Sequence, residues 1–242
     1  MYRFTMSIAG YNIEVETEIE YLSTLCASYL VQNQPEFHVV INSSEIENEK
    51  KKNEVNGKLN YVSDEKCAFL VLLRKIAEEL VEQNVLLIHG AAITLDERSY
   101  LFTAKSGTGK TTHICKWIQN RPDLIVINGD KPFIKIGETP LIYGSPWAGK
   151  ECLSTNIMKP LNAIIILERS ESNKISSISF TEAFPILLNS IYLSDNVNKR
   201  NKAVKALLSL NKKLSFYKYQ VNNLKNDCFS VIYDEIHSQG MI

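Results

Sequence analysis

The sequence predicts an α/β fold: a mixed β-sheet that carries a phosphate-binding loop (P-loop), with flanking helices and an N-terminal α+β segment packed on it. Residues 100–103 form an apolar strand, residues 104–109 a loop of small residues, and a helix begins at Lys110. This order is what a P-loop requires. The apolar run 85–94, interpreted as one strand, precedes it across a tight turn, so the two strands must be antiparallel. The sheet is therefore mixed.

The loop itself matches the nucleotide-binding consensus G-x-x-x-x-G-K-[ST] except at its first position, where Ala104 replaces glycine. Gly107 and Gly109 let the backbone wrap closely around an anion. Lys110 can reach the β- and γ-phosphates of ATP, and Thr111 offers a hydroxyl to Mg²⁺. The alternative is a glycine-rich loop that only caps a helix. The predicted nucleotide-binding residues are Ser106, Gly107, Thr108, Gly109, Lys110, Thr111 and Thr112.

Composition excludes several classes of partner. Among 242 residues, Lys and Arg together number 27, as do Asp and Glu, so no net charge attracts the chain to nucleic acid or to a membrane surface. The start is too polar for a signal peptide, and no apolar run reaches the roughly 18–20 residues that span a bilayer. Five cysteines lack C-x-x-C spacing, which favours reduced thiols. We expect a soluble cytoplasmic protein.

The chain divides into an N-terminal segment, 1–84, and a P-loop core, 85–242, which could form one compact unit. Alternation and helical spacing predict the following elements of the first segment: a hairpin of strands 2–8 and 12–18, a helix over 18–31, a strand 37–41, a solvated loop or frayed helix over 43–58, and an amphipathic helix 64–83 capped by Ser63. The core continues with these: strands 123–128, 133–136, 141–143, 161–167 and 215–220, and helices 181–193, 197–210 and 227–237.

Two side chains outside the loop are candidates for chemistry. Asp130 follows a strand about 20 residues after the P-loop, where phosphoryl transfer needs a metal-orienting carboxylate; the alternative is an ordinary aspartate in a Gly-Asp turn. His89 lies in an apolar strand before small residues that permit close packing. The alternative is a structural role, as a core histidine whose ring nitrogens are hydrogen-bonded within the protein. His113, in the helix behind Thr112, is predicted to be structural.

Residues 144–151 (GSPWAGKE) contain a second G-x-x-x-x-G-K. They do not form another nucleotide loop, because Glu151 replaces the Ser or Thr that would hold Mg²⁺. An exposed Trp147, a flexible Gly149 and the charged Lys150 suggest a lid, in which Lys150 meets the transferred phosphate or the substrate. An ordinary loop anchored by Trp147 is the alternative.

Three segments carry a resemblance: HGAAI (89–93), AKSGTGKTT (104–112) and INGDKP (127–132). Together they resemble the P-loop superfamily that contains HPr kinase/phosphorylase and ATP-dependent phosphoenolpyruvate carboxykinase. The chain is most similar to small HPr-kinase-like proteins, some of which act in peptide modification. The resemblance covers residues 85–170 well. It implies a fold like the HPr kinase C-terminal domain, phosphate and Mg²⁺ binding by Lys110 and Thr111, and a homo-oligomer as one possibility.

The sequence departs from this family at the acidic motif. The family carries two adjacent aspartates after the strand, whereas here Asp130 stands between Gly129 and Lys131. His89, Glu151 or Asp130 itself is then the candidate general base. The segment 144–151 does not belong to the HPr kinase pattern and indicates a substrate particular to this branch.

The function predicted from the sequence is an ATP- and Mg²⁺-dependent kinase. Its acceptor is a hydroxyl: serine in a peptide or carrier protein, or a small molecule. Thr111 and Asp130 are the predicted metal ligands, while Lys150, or else Arg169, neutralises charge in the transition state. Predicted substrate contacts are Trp147, Glu151 and Arg169. A non-catalytic nucleotide-binding regulatory module, a phosphoenolpyruvate-carboxykinase-like enzyme and a phosphorylase running the reverse reaction remain alternatives.

Overall fold

The computed structural model describes residues 1–55, 62–105 and 108–222. The predicted C-terminal helix, 227–237, lies outside these ranges. The strands of the described chain are β1 (Tyr2–Ile8), β2 (Tyr11–Thr17), β3 (Phe37–Ile41), β4 (Val85–Leu87), β5 (Ala91–Leu95), β6 (Arg98–Thr103), β7 (Ile125–Asn128), β8 (Phe133–Lys135), β9 (Leu141–Tyr143), β10 (Met158–Pro160), β11 (Ala163–Arg169), β12 (Lys174–Ser177) and β13 (Ser215–Val221). Its α-helices are α1 (Tyr21–Leu25), α2 (Ser43–Val55), α3 (Asp64–Leu80), α4 (Lys110–Asn120), α5 (Phe180–Ser190) and α6 (Val197–Leu208).

The N-terminal residues form a three-stranded sheet of order β1-β2-β3. The predicted hairpin of β1 and β2 is confirmed, and its two-residue turn at Ala9 and Gly10 has positive φ at both positions, as a type I′ turn does. The predicted helix over 18–31 is shorter than expected. The helix ends at Leu25, because the chain that follows pairs with β1: Val31 N donates a hydrogen bond to Thr5 O.

Of the two forms predicted for residues 43–58, a solvated loop or a frayed helix, the structure has a helix over Ser43–Val55; residues 56–58 lie outside the described ranges. Ile46 and Glu49 are buried against α3, and the Glu49 carboxylate pairs with the guanidinium of Arg74. These contacts anchor the helix and correct the expectation that the segment is solvated. Helix α3 is confirmed, with the Ser63 hydroxyl accepting a hydrogen bond from Lys66 N.

The core contains two further sheets. The first is antiparallel, of order β10-β9-β8-β4, and the second has the order β12-β13-β11-β6-β5-β7. In the second sheet β6, β11 and β13 are parallel, while β5 runs antiparallel to β6. The predicted mixed sheet is therefore confirmed. Strands β10 and β12 were not predicted. Within the described ranges, no helix is long and apolar enough to cross a membrane.

The apolar run 85–94 is not one strand. It leaves the antiparallel sheet after β4 and enters the six-stranded sheet at β5. Gly90 lies at this crossing, where an added Cβ would stand 2.7 Å from Leu101 Cδ1 and 2.8 Å from Phe102 O. Only glycine leaves room for so close a backbone approach, and the crossing places His89 outside both sheets.

Helices cover both faces of the six-stranded sheet. Alternate residues of β6 point to opposite faces and so pack against different helices. Leu101 packs in a cluster with α5 and α6, whereas Tyr100 and Phe102 pack against α4.

His113 on α4 is fully buried, and its Nε2 accepts a hydrogen bond from Trp117 Nε1 at 3.0 Å. This arrangement confirms the predicted structural role of His113.

We expect His113 to make the protein sensitive to mild acid. Burial, aided by the charge of Lys116, lowers the pKa of His113 from 6.5 to about 3. Between these values the unfolded chain binds a proton that the folded chain does not, so stability falls as pH falls. The slope due to this group is about 1.4 kcal/mol per pH unit. Urea unfolding of the wild type and His113→Gln from pH 6.5 down to about 5 measures it. Equal pH slopes in the two proteins would contradict the assignment.

Candidate active site

The site lies at the carboxyl end of β6, where the chain passes into α4. Gly109 is the residue before the helix and has φ +99°, a left-handed conformation that favours glycine. Thr108 is held by hydrogen bonds from its amide and hydroxyl to Lys105 O. Thr111 and Thr112 are exposed in the first helical turn. The first amides of a helix lack partners within it and carry a positive dipole. Ser106 and Gly107 lie outside the described residues.

Three predicted residues meet beside this helix start. Lys110 Nζ lies 3.3 Å from His89 Nε2, which in turn lies 3.2 Å from Asp130 Oδ1. The backbone explains the meeting, since residues 88–90 pair with residues 130–132: Gly90 N donates to Asp130 O and Ile88 N donates to Pro132 O. The chain crossing at Gly90 thus presents His89 to both a lysine and a carboxylate.

His89 Nε2 cannot satisfy both neighbours in one protonation state. A protonated Nε2 donates to Asp130, whereas an unprotonated Nε2 accepts from Lys110. The two contacts therefore define alternative positions for one proton.

A second lysine completes the cluster, because Lys131 Nζ lies 3.5 Å from the same Asp130 oxygen. Burial lowers the pKa of Lys110 and of Lys131, and in each case the charge of Asp130 partly offsets it. Burial acts to raise the pKa of Asp130, but the hydrogen bond from His89 and the charge of Lys131 outweigh it and hold that pKa below its usual value. With His89 counted as neutral, two ammonium groups face one carboxylate, and the site has a positive excess.

The turn that carries Asp130 is fixed by Asn128, whose side chain is fully buried. Asn128 Oδ1 accepts from the amides of Asp130 at 2.8 Å and Lys131 at 2.6 Å. Its Nδ2 donates to Ser145, both to the carbonyl at 2.9 Å and to the hydroxyl at 3.0 Å. Ser154 extends the network by donating to Ser145 O. Asn128 thus joins the Asp130 turn to the loop that begins at residue 144.

Trp147 is not exposed, which corrects the sequence-based expectation. Only 4% of its surface is accessible. Its Nε1 donates to Phe69 O at 2.8 Å, and its ring stacks on that of Phe69 at a centroid distance of 5.0 Å. Trp147 therefore anchors the loop to α3, as the alternative interpretation had it, and its buried indole does not project toward a substrate.

The same loop reaches the site through Gly149. Gly149 has φ +79°, and an added Cβ would lie 3.1 Å from Asp130 Cβ. The side chains of Lys150 and Glu151 are exposed, and neither has an ion-pair partner among the described residues. Their assignment to the phosphate and the substrate stays a prediction.

Arg169 lies close to the nucleotide-loop candidates. Strand β11 runs parallel to β6 and extends three residues beyond the Ile166–Thr103 pair, so its end projects past β6 at the same edge of the sheet. Arg169 Nε donates to Thr108 O at 3.4 Å. Its contact with a substrate stays a prediction.

The oxygen ligands present suit Mg²⁺ better than a softer metal. Among the described residues no three His, Cys, Asp or Glu side chains come together as a metal cage. Mg²⁺ does not need one, because it commonly takes one or two carboxylates, waters and the substrate's phosphates. His89 and Lys131 both contact Asp130 Oδ1, which leaves Oδ2 for a cation. The exposed Thr111 hydroxyl is the second candidate ligand.

Two residues of the site were missed in the sequence: Asn128 and Lys131. Asn128 was detectable in part, because an asparagine before Gly-Asp often bonds the amides two and three residues on. Lys131 was seen only as a neighbour of Asp130. Its half-buried position depends on the turn that Asn128 holds, and no local pattern shows that.

Comparison with known proteins shows a distant likeness to solved structures and no match to a family. No protein-family model matches the chain, and no curated protein does either. Among solved structures, the HPr(Ser) kinase/phosphatase from Coxiella burnetii is similar with 10% sequence identity and a TM-score of 0.38, over 63% of this chain and 97% of that chain. A TM-score this low carries no argument about function. Any argument about function therefore rests on the residues of this chain.

We expect Asn128→Ala to destabilise the protein by about 3 kcal/mol, because it leaves the amides of Asp130 and Lys131 buried without an acceptor. Chemical denaturation measures the loss. Asn120→Ala is the matched control: its side chain makes one exposed hydrogen bond to Lys116 O, and its effect should stay within about 0.5 kcal/mol. Similar losses in both variants would mean that Asn128 does not hold the turn.

Proposed function

We propose that this protein is an ATP-dependent kinase that transfers the γ-phosphate of ATP to a hydroxyl acceptor. The observation that carries the proposal is the position of His89 Nε2, which lies 3.3 Å from Lys110 Nζ at the start of α4 and 3.2 Å from Asp130 Oδ1. A cation at a helix N-terminus suits a phosphate, and a histidine and a carboxylate beside it suit proton transfer. Phosphoryl transfer needs these two functions side by side.

Nucleotide binding would use the amides of the helix start and the residues Ser106, Gly107, Thr108, Gly109, Lys110, Thr111 and Thr112. The left-handed Gly109 supports this, because it turns the loop into the helix without a side chain in the way. Lys110 adds a charge-assisted hydrogen bond to the β- and γ-phosphates. Thr111 and Asp130 Oδ2 would hold Mg²⁺, which supplies charge neutralisation between the phosphates when bound.

Asp130 would receive the proton of the acceptor hydroxyl, with His89 as its partner. The hydrogen bond between His89 and Asp130 spreads the charge and fixes the carboxylate. The lowered pKa of Asp130 makes it a weak base. A weak base is sufficient where the transition state is loose and the proton leaves late. The acceptor is a hydroxyl of the serine type, in a peptide, a carrier protein or a small molecule.

One observation favours a second function, a nucleotide-binding regulatory module without turnover. Lys131 pairs with the single carboxylate of the site, and this pairing weakens Asp130 further as a base. A protein of that kind would bind Mg²⁺·ATP and leave it intact. Measuring both binding and phosphate release therefore separates the two functions.

We expect the wild type to bind Mg²⁺·ATP and to release or transfer its γ-phosphate, and Lys110→Met to lose this. Removing one charge-assisted hydrogen bond to phosphate should weaken binding about 10- to 100-fold. Calorimetric titration with ATP and Mg²⁺, and release of label from γ-labelled ATP, measure the two effects. The fold should persist, because burial and Lys131 already disfavour the charge of Lys110.

Lys205→Met is the control for this experiment, since Lys205 is an exposed lysine on α6. It should bind and turn over ATP as the wild type does. Failure of the wild type to bind Mg²⁺·ATP would refute the kinase. Binding without phosphate release, in the presence of serine-containing peptides as well as water, would support the regulatory module instead.

A further inference from the structure

Lys131 lies within the site but has no part in the reaction described so far. Its backbone is held on both sides: Lys131 N donates to Asn128 Oδ1 at 2.6 Å, and Lys131 O accepts from the Ser145 hydroxyl at 2.6 Å. A lysine whose main chain is fixed in this way can direct its ammonium group with little loss of entropy on binding. Its side chain is 27% accessible, so a ligand in the site can reach it.

The ammonium group of Lys131 is poorly satisfied. It carries three N–H donors, and among the described residues its one polar contact is Asp130 Oδ1, at 3.5 Å. That distance exceeds the roughly 2.7–2.9 Å of a good charge-assisted hydrogen bond. The same oxygen is already contacted by His89 Nε2. Lys131 therefore has donors to spare, and they face the site.

The positive excess of the site gives these donors a partner. Lys110 and Lys131 repel each other, and this repulsion contributes to the lowered pKa of Lys110. An anion between the two ammonium groups would relieve both the repulsion and the incomplete solvation. Asp130 supplies one negative charge against two positive ones, so the site has room in its charge balance for a second anionic group.

We propose that Lys131 is a catalytic residue that donates to the γ-phosphoryl group as it is transferred, while Lys110 holds the phosphates on the helix side of Asp130. The inference rests on the proposed kinase function and names a residue for it. Lys131 takes the neutralising role that the sequence suggested for Lys150, because Lys150 is exposed and Lys131 contacts the carboxylate at the centre of the site.

Transfer of the γ-phosphoryl group forms one bond to phosphorus and breaks another. The acceptor oxygen forms a bond to the γ-phosphorus, and the bond from that phosphorus to the oxygen bridging to the β-phosphate breaks, leaving its electron pair on ADP. The acceptor's proton passes to the Asp130 carboxylate. Lys131 Nζ lies 3.5 Å from Asp130 Oδ1, so its ammonium keeps donors for the phosphoryl oxygens as they move toward the acceptor. A contact made to the group in transit, and not to bound ADP, is the condition for a gain in kcat.

A lysine that only neutralised Asp130 would behave differently on removal. In that case Lys131→Met would remove the pairing that weakens Asp130 as a base, so kcat would be kept or raised. A group that contacts the phosphoryl in transit affects kcat and leaves the affinity for ADP, which lacks that phosphoryl, unchanged. The two roles are separated by comparing kcat with the dissociation constant for ADP.

We expect Lys131→Met to lower kcat about 100-fold, with a change in ADP affinity of at most about twofold. Lys131→Arg should recover part of the rate. The rate is phosphate release from γ-labelled ATP with Mg²⁺ and water as acceptor, and affinity is measured by calorimetry with ADP and Mg²⁺. Lys202→Met is the control, since Lys202 pairs with Glu82 on the surface; its kcat should equal that of the wild type.

A wild-type kcat in Lys131→Met, or a loss confined to ADP affinity, would overturn the role of Lys131 while the kinase stands. A wild type that neither binds Mg²⁺·ATP nor releases phosphate would overturn the kinase and this inference together. Circular dichroism and thermal unfolding check each variant. Should Lys131→Met fail to fold, Lys131→Gln, which keeps a polar end group, carries the same expectation and the same outcomes.

Discussion

The site depends on the burial of one amide side chain. Asn128 uses its oxygen for two backbone amides of the Asp130 turn and its nitrogen for the 144–155 loop. A buried amide must have its partners or lose several kcal/mol, so neither the turn nor the loop can move alone. Tyr29 reaches the same network through Ser154, at 2.8 Å. A chain of hydrogen bonds therefore links the Asp130 turn to the N-terminal segment.

Patterns that are local in the chain predicted much of the fold. Strand β6 and helix α4 follow from the apolar run and the helical spacing. The β5–β6 hairpin follows from a short turn whose residues Asp96 and Glu97 both have positive φ. His89, Lys110 and Asp130 were each candidates from the sequence, but their mutual contacts were not predicted. The distances that give the meeting its chemistry come from the strand crossing at Gly90, which an uninterrupted apolar run conceals.

Contacts between distant residues were not predictable. Glycine, proline and serine surround Trp147 in the sequence, and this predicts an exposed side chain. In the structure Phe69, 78 residues away, packs on it. Glu49 reads as solvated, yet Arg74 pairs with it under α2. Lys131 looked like a neighbour of the catalytic candidate and proved to belong to the site. In each case the partner is brought by tertiary packing, and a single sequence contains no local sign of it.

A site with two lysines, one histidine and one carboxylate has the charges that the proposed transfer of a phosphoryl group needs. A carboxylate without the lysines would repel a phosphate. Lysines without the carboxylate would bind the phosphate too tightly for transfer. Asp130 holds Lys131 loosely, at 3.5 Å, and its contact with His89 alternates with that of Lys110. In the proposed reaction both lysines therefore keep donors for the phosphoryl group. Because Asn128 holds both amides of the turn, Asp130 and Lys131 are positioned before the substrate binds, which is what electrostatic stabilisation of a transition state requires.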